Sequence, residues 1–416
     1  MRRARSFLSL LTLLVAAAAG SAGAAPRTEG AQSLPSLPAA TDAAAALPRP
    51  AKRGPSTLDG GMQRAAERLL RGAKPVEGAI VAIDPKTGKL LTFAAITASG
   101  SSHEVLTQAR LPAASLFKVV TTTSLFENTD VSLQDQVCIN GGMHGIERRH
   151  LEPARGPGTE CGRFAWALGH SKNAVFAQLA TRLLTREDLL KTAERLGFNA
   201  KLPLDDGDEQ AEVGKLTVPY NDLEFARAAA GFQGSSLSPV GAAYLMTLIA
   251  RGGEPVALRL HDAVPAAPSE GEEPDAALRP TAPFSARTAQ RLTRMLEVTV
   301  ETGTSRGAFT APDGKRYLPG LRVAGKTGTL RPDPTGAEEP GQGPRRHETM
   351  TSWFVGFAPS RNPEIVVSVM LVNGHTYRRK ANELARDLLR AYFRAHGHAQ
   401  RITDPFADPL AESAPE

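Results

Sequence analysis

The chain has 416 residues, of which 41% are hydrophobic and 22% are charged, and its formal net charge is +6. This is the composition of an ordinary globular protein, long enough for one large domain or two smaller ones. The small charge, and the lack of a basic stripe interleaved with aromatic residues, argue against nucleic-acid binding.

The first 24 residues are organised as a secretory signal peptide. Arginines come first, an apolar stretch runs from Phe7 to about Gly20, and Ala22 and Ala24 form an A-x-A cleavage site. The stretch is short for a bilayer span of about 20 residues, so we expect cleavage, with an uncleaved membrane anchor as the alternative. The protein is therefore expected to be exported to the periplasm or the cell envelope.

Three further segments follow the signal. Residues 25–58 are rich in Ala, Pro and Ser and are predicted to be a disordered tether. A folded domain is predicted over 59–400, followed by a C-terminal tail at 401–416. The domain begins with a short amphipathic helix around Leu70 and a hairpin over 78–96, whose two apolar runs flank turn residues.

Helical patterns dominate the middle of the domain, and strand patterns return near its end. Since strands come first and last, the predicted fold class is α+β: an antiparallel sheet flanked by a terminal helix, with a helical subdomain inserted. The first and last strands are expected to share this sheet. The clearest helices are 175–184, 186–197 and 238–253, the late strands are 320–325, 351–359 and 364–374, the last helix is 381–396, and Pro/Gly/Glu-rich loops occupy 265–283 and 331–346.

The stretch GLRVAGKT at 320–327 matches the nucleotide-binding P-loop pattern. That pattern binds phosphate only where a helix follows it, because the phosphates lie on the helix N-terminus. Gly328, Pro332 and Pro334 follow instead and prevent a helix. The match is interpreted as a coincidence, so the Lys-Thr-Gly within it needs another explanation.

The chain contains one S-x-x-K, at Ser115 and Lys118. On a helix the two residues lie on one face, where a neutral lysine can activate the serine hydroxyl as a nucleophile. Lowering a lysine pKa from about 10.4 toward 7 costs roughly 4 kcal/mol. We expect burial among Phe117, Val119 and Val120, together with the charge of Lys326, to shift the pKa.

Two more short motifs accompany it. Ser171 and Asn173 form an S-x-N just before a predicted helix, and 326–328 is a Lys-Thr-Gly on a predicted strand. Each motif alone is weak evidence for a function, since a second Lys-Thr-Gly lies in the hairpin turn at 86–88 and a second S-x-N lies at 360–362. Their occurrence together, in this order and in suitable local structure, is specific.

These motifs resemble those of penicillin-binding protein transpeptidases and serine β-lactamases. The resemblance covers about 77–396 and includes VAIDPKTGKLLTFA, EVTVETGTSRGAF and WFVGFAPSRNPEIVVSVMLVNG. It implies an acyltransferase acting on D-alanyl-D-alanine stem peptides of peptidoglycan, with β-lactams as covalent inhibitors and no cofactor. About 50 residues separate the signal from the hairpin, too few for the glycosyltransferase or pedestal module of wall-building members, so cell-wall synthesis proteins are candidate partners.

The resemblance also implies residue roles. Ser115 is the acylated nucleophile, Lys118 its general base, and Ser171 a proton relay toward the leaving amine. Asn173 hydrogen-bonds the substrate amide. The third motif and the residue after it complete the site: Lys326 and Thr327 hold the terminal carboxylate, Gly328 lets the acyl chain lie against the strand, and Thr329 shares the oxyanion with the Ser115 backbone N–H.

Four alternatives stay open. A D,D-carboxypeptidase would use the same residues. A serine β-lactamase of this fold needs an activated deacylating water, whereas no E-x-x-L-N occurs, and Glu187, Asp188 and Glu194 lie on a helix face expected to meet solvent. A non-catalytic β-lactam sensor would need membrane spans and a signalling domain. An α/β-hydrolase elbow at GHSKN lacks its final Gly.

The cysteines and histidines are interpreted as structural. Cys138 and Cys161 fit an oxidising compartment and are expected to pair, with two buried thiols as the alternative. No C-x-x-C or H-E-x-x-H occurs, so no metal site is predicted. His150, His170 and His375 are interpreted as surface or hydrogen-bonded structural residues rather than catalytic ones.

Overall fold

Strands from both ends of the chain and helices from its middle make up the structure, a computed structural model that describes residues 53–98, 101–205, 209–263, 281–330, 349–374 and 378–396. The strands are β1 Arg53–Ser56, β2 Glu77–Ile83, β3 Leu90–Thr97, β4 Leu111–Pro112, β5 Gln136–Ile139, β6 Glu160–Arg163, β7 Lys201–Leu204, β8 Glu209–Glu212, β9 Gly214–Leu216, β10 Ser235–Leu237, β11 His261–Ala263, β12 Ala324–Leu330, β13 Met350–Ala358 and β14 Ile365–Asn373. The α-helices are α1 Gly60–Ala73, α2 Ser102–Thr107, α3 Phe117–Asn128, α4 Phe164–Ala167, α5 Asn173–Leu183, α6 Arg186–Arg195, α7 Asp222–Ala229, α8 Pro239–Ala250, α9 Ala286–Glu301, α10 Arg306–Phe309 and α11 Ala381–Ala395.

A five-stranded antiparallel sheet organises these elements. Its strand order is β12-β13-β14-β2-β3, so the late strand β14 pairs directly with the early strand β2. All nine residues of β14 are buried, because both faces of the sheet are covered. One face packs against α1 and α11, through residues such as Val367 and Leu388, and the other packs against the helical part, through Met370. The predicted fold class and the shared sheet are confirmed.

Most predicted elements are present, with small shifts of their ends. The hairpin, the first helix, the three central helices and the last helix all occur. The strand predicted at 320–325 is wrong for 320–323, because β12 begins at Ala324, where pairing with Phe357 of β13 starts. The strand runs on through Leu330, so no helix follows Lys326 and the P-loop interpretation is excluded. Helix α9 was not predicted.

The predicted tether is also too long. Residues 53–56 form β1, which pairs with β11, and Thr57 N donates a hydrogen bond to Leu260 O at 2.8 Å. A short strand that depends on a distant partner leaves no composition signal, so the sequence does not reveal that residues 53–56 form a pairing strand. The signal peptide, the rest of the tether, the loop 331–346, most of the loop 265–283 and the tail 401–416 lie outside the described residues. No described helix has the length and apolarity to cross a bilayer.

Candidate active site

Ser115 lies in a 3₁₀ turn, Ala114–Leu116, that leads directly into α3. Its hydroxyl oxygen is 2.7 Å from Lys118 Nζ. Ala114 has a left-handed φ of 48°, which costs an L-residue roughly 1–2 kcal/mol. The neighbouring loop supports this turn closely, since a Cβ on Gly231 would lie 2.1 Å from Ala114 O. Glycine at 231 is therefore required for the loop after α7 to pack against the turn that carries Ser115.

Lys118 is fully buried behind Ser115, with 0% of its surface exposed. Its Nζ also hydrogen-bonds Ala230 O at 2.6 Å, and it lies 5.8 Å from the centre of the Phe176 ring. Burial lowers the pKa of Lys118 well below its usual value, and the charge of Lys326 lowers it further. A neutral Nζ has a lone pair that can accept the proton of the Ser115 hydroxyl.

The second motif lies at the start of α5. Ser171 has a left-handed φ of 55°, and its Oγ accepts a hydrogen bond from Lys326 Nζ at 3.1 Å. Asn173 is the first residue of α5, and its Nδ2 donates to Met143 O at 2.7 Å. The two motif residues are thereby fixed from opposite sides, one by the third motif and one by the 141–146 loop.

The third motif occupies the edge strand β12. Lys326 is fully buried, donates to Thr327 O at 2.7 Å, and burial lowers its pKa to about 7. A Cβ on Gly328 would lie 3.3 Å from Leu116 Cγ and 3.4 Å from Ala113 O. Glycine at this position therefore keeps β12 close to the turn that carries Ser115, as expected for a mid-strand glycine.

A cavity of about 560 Å³ joins the three motifs. Ser115, Ser171, Asn173, Thr327 and Thr329 all line it, and Lys118 and Lys326 lie behind its surface. The predicted site residues are thus brought together in one cleft. Ser115 and Thr329, whose backbone N–H groups are the predicted oxyanion donors, are both at this surface.

A small hairpin forms another part of the cleft. Strands β5 and β6 pair with Cys138 opposite Cys161, and a disulfide bond joins the two. Glu160 on β6 accepts two 2.7 Å hydrogen bonds from Lys172 Nζ. Gln178 Nε2 on α5 donates to Cys138 O at 3.3 Å. These contacts fasten the hairpin to the segment that carries Ser171 and Asn173.

The sequence analysis did not place Thr304 or His170 in the cleft. Thr304, in the turn after α9, lines the cavity with its Oγ1 2.5 Å from Thr327 Oγ1. His170, interpreted as structural, also lines the cavity. The quoted stretch EVTVETGTSRGAF contains Thr304, but nothing in its pattern shows that the turn reaches β12. His150 is buried, with Nδ1 accepting a 3.0 Å hydrogen bond from Glu147 N, and His375 lies outside the described residues.

The three acidic residues of α6 do not line this cleft. Glu187 and Glu194 on α6 are exposed, whereas Leu189 and Ala193 on the same helix are buried, as predicted. Asp188 is occupied by the helix cap, where it accepts from Thr185 N at 2.9 Å. Within the described part of the chain, no three His, Cys, Asp or Glu side chains are grouped so that they could hold a metal ion.

Comparisons with known proteins cover the part of the chain that carries these motifs. Residues 78–390 match the family model described as the penicillin binding protein transpeptidase domain. The chain is 26% identical over 336 residues to peptidoglycan D,D-transpeptidase PbpA of Mycobacterium tuberculosis, covering 72% of this chain and 62% of that protein. It is 25% identical to stage V sporulation protein D of Bacillus subtilis, covering 76% of this chain and 49% of that protein. The chain thus spans about half to three-fifths of the length of these curated relatives.

Solved structures show the same fold. The transpeptidase domain of penicillin-binding protein 3 from Burkholderia pseudomallei superposes with a TM-score of 0.62 at 23% identity, covering 82% of this chain and 96% of that one. A ceftriaxone acyl-enzyme complex of penicillin-binding protein A from Mycobacterium tuberculosis gives a TM-score of 0.60 at 20% identity, covering 81% of this chain and 79% of that one.

Proposed function

Because this chain belongs to the penicillin-binding protein transpeptidase family, we propose that it is a serine D,D-transpeptidase acting on D-alanyl-D-alanine stem peptides of peptidoglycan. One observation carries the proposal: Ser115 Oγ lies 2.7 Å from the buried amine of Lys118, at the surface of a cleft that also holds the second and third motifs. A hydroxyl beside a neutral amine is an activated nucleophile. The match to the relative named D,D-transpeptidase supports the substrate class.

Acylation begins with proton transfer. Lys118 takes the Ser115 proton as Oγ attacks the carbonyl carbon of the penultimate D-alanine, and the C–Oγ bond forms. The carbonyl oxygen gains negative charge, which the backbone N–H groups of Ser115 and Thr329 stabilise. Collapse of this intermediate breaks the C–N bond to the terminal D-alanine. Lys118 returns the proton through Ser171 to the departing amine, leaving the acyl chain as an ester on Ser115.

Substrate orientation depends on the second and third motifs. Protonated Lys326 and the Thr327 hydroxyl bind the terminal carboxylate, with Thr304 adjacent to Thr327. Asn173 hydrogen-bonds the peptide amide. The acyl chain lies along β12, where Gly328 has no side chain to displace it. These groups hold the scissile carbonyl next to Ser115, so the reaction becomes effectively intramolecular.

Export and partners belong to the same proposal. The signal-like N-terminus and the disulfide support an exported enzyme at the cell envelope. Cell-wall synthesis proteins are the proposed partners, since stem peptides in growing peptidoglycan are supplied by other enzymes.

Product analysis tests the proposed reaction. The purified exported protein is incubated with a pentapeptide donor, with and without an amine acceptor, and products are identified by mass spectrometry. We expect release of D-alanine and a donor–acceptor amide that appears only when the acceptor is present. Release of D-alanine with water as the sole acceptor would instead show a D,D-carboxypeptidase, and no release would contradict the proposal.

A further inference from the structure

One histidine lies at the surface of the active-site cleft. His170 immediately precedes Ser171 and lines the cavity together with Ser115. Its Nε2 is 3.4 Å from Thr302 Oγ1 at the end of α9, and its ring meets Trp166 edge-on at 5.9 Å between centroids. The acylation steps described above do not use this imidazole.

The second half of a transpeptidase reaction creates a need for a base. The acceptor is a primary amine, and an alkyl amine with a pKa of about 10 reaches the enzyme as an ammonium ion near neutral pH. An ammonium nitrogen has no lone pair, so it must lose a proton before it can attack the ester on Ser115. That proton needs an acceptor which the incoming amine can touch.

Most basic groups of the cleft cannot meet this need. Lys118 is 0% exposed behind Ser115 and takes part in returning the proton to Ser115, and Lys326 is the protonated group that binds the terminal carboxylate, so neither takes the first proton of an incoming amine. Four titratable side chains line the cavity among the described residues: Glu160, His170, Lys172 and Lys380. Lys172 donates hydrogen bonds to both carboxylate oxygens of Glu160, so each of these two groups is engaged by the other. Lys380 carries an alkyl amine like that of the acceptor, so a proton transfer between the two gains nothing. His170 is the remaining base.

The surroundings of His170 favour a neutral imidazole. Burial lowers its pKa below the usual value, Lys172 on the same loop lowers it further, and Glu160 on β6 opposes this shift. Trp166 on α4 and Thr302 at the end of α9 contribute no charge. A neutral imidazole has one ring nitrogen without a proton, and that nitrogen can accept one.

We propose that His170 is the proton acceptor for the incoming amine, and so favours resolution of the acyl-enzyme by an amine over hydrolysis. The inference rests on the proposed transpeptidase function. The ammonium gives one proton to His170, and the neutral amine forms a C–N bond with the ester carbonyl carbon. The second N–H proton passes through Ser171 and Lys118 to Ser115 Oγ as the C–O bond breaks. Imidazolium then releases its proton to solvent.

The partition between transfer and hydrolysis tests this role. A D-alanyl thioester donor is supplied with D-alanine as acceptor, and the two products are quantified by mass spectrometry for wild type, His170→Gln and His150→Gln. His150 is a buried histidine that does not line the cleft, so it is the matched control. We expect the transfer-to-hydrolysis ratio of His170→Gln to fall by about 10²-fold, the scale of a lost general base. His150→Gln is expected to match wild type.

A second acceptor separates proton transfer from a structural role. Hydroxylamine is weakly basic and already neutral at pH 7, so it needs no proton acceptor. His170→Gln is expected to use hydroxylamine as well as wild type does, and to recover transfer to D-alanine as pH rises toward the pKa of that amine. Equal losses with both acceptors, or an unchanged ratio with D-alanine, would overturn the inference. If penicillin does not acylate wild type, the proposed function itself fails, and the inference with it.

Discussion

The cleft has two walls of different construction. The inner wall consists of β12, the turn before α3 and the first turn of α3, and its two lysines, Lys118 and Lys326, are completely buried. The outer wall consists of the β5–β6 hairpin and the loop 169–173, where Met143 is 68% exposed and Glu160 and Cys161 are also exposed. Core packing holds the inner wall, whereas a disulfide and an ion pair hold the outer one.

This difference separates two tasks. Proton transfer by lysine needs a low dielectric, because only burial and a neighbouring positive charge make an amine neutral at pH 7. A buried site of this kind lowers stability, so the surrounding core must compensate. Substrate binding and release need surfaces that water can reach. We therefore expect changes at Lys118 to remove chemistry, and changes in the β5–β6 hairpin to alter stability and binding with less effect on acylation.

The largest effect is expected at Lys118. Lys118→Met keeps the length of the side chain but removes the base, so the rate of acylation by penicillin should fall by about 10²–10⁴-fold. Lys118→Arg should be equally inactive, because guanidinium stays protonated. The melting temperature of Lys118→Met should not fall, because the substitution removes a poorly solvated amine from the core. A rapidly acylated Arg variant with an unchanged melting temperature would rule out Lys118 as the base.

The next largest effect is expected at Gly231, which packs against the turn that carries Ser115. Gly231→Ala introduces a Cβ 2.1 Å from Ala114 O, so it should displace Ser115 and slow acylation by up to about 10²-fold. Gly252→Ala is the control, because both glycines have positive φ but a Cβ at 252 meets nothing within 4 Å. Both variants should lose roughly 1–2 kcal/mol of stability from the strain of an L-residue at positive φ. Equal acylation rates in the two variants would refute the role given to Gly231.

The two buried lysines predict a bell-shaped pH dependence of acylation. Lys118 must be neutral, so the rate is present above its lowered pKa and is lost as pH falls through it. Lys326 must be protonated to bind a carboxylate, so binding is lost as pH rises through about 7 in the free enzyme. Each limb should change the second-order rate by up to about tenfold per pH unit. The alkaline limb of the pH–rate profile should disappear in Lys326→Arg, because guanidinium stays protonated. An alkaline limb that persists in this variant would show that another group causes it.

The smallest effect on acylation is expected in the outer wall. The double variant Cys138→Ser/Cys161→Ser should lose about 3 kcal/mol of stability in the chain-entropy model, while Ser115 is still acylated by penicillin. The KM for a peptide donor should rise, because Met143 O then holds Asn173 less firmly. Thiol alkylation of the exported wild-type protein should find no free cysteine. Two free thiols there, or a variant with unchanged KM, would contradict this account of the outer wall.

Sequence and structure agree best where a residue acts through its own side chain. Ser115, Lys118, Asn173 and Lys326 stand in short motifs, and their chemistry is readable from residue type and spacing. The partners that hold them were not predictable. Lys118 and Asn173 are held by the backbone carbonyl groups of Ala230 and Met143. Every residue has such a carbonyl group, so only the fold selects these two.

Other parts of the site depended on tertiary contacts. The predicted apolar setting of Lys118 used its sequence neighbours, whereas the ring nearest its Nζ among the described aromatic contacts belongs to Phe176 on α5. Strand β12 begins where pairing with β13 begins, and the strand pattern at 320–325 does not mark that point. The position of His170 at the cleft surface was not readable from the sequence, because a lone histidine carries no sign of which surface it faces.

The central claim is that Ser115 is acylated and that the adduct is long-lived. Among the described residues that line the cleft, Glu160 is the one carboxylate, and Lys172 holds both of its oxygens. An activated water is worth about 10²–10⁴-fold in rate, so its lack should leave the ester intact for minutes or longer.

Intact-protein mass spectrometry after a penicillin pulse, followed by peptide mapping over time, measures the site and the lifetime together. We predict one penicilloyl group, located on Ser115, absent from Ser115→Ala and persisting after free penicillin is removed. Labelling of Ser115→Ala equal to wild type would contradict the nucleophile, and rapid multiple turnover of nitrocefin by the pure protein would show a β-lactamase instead.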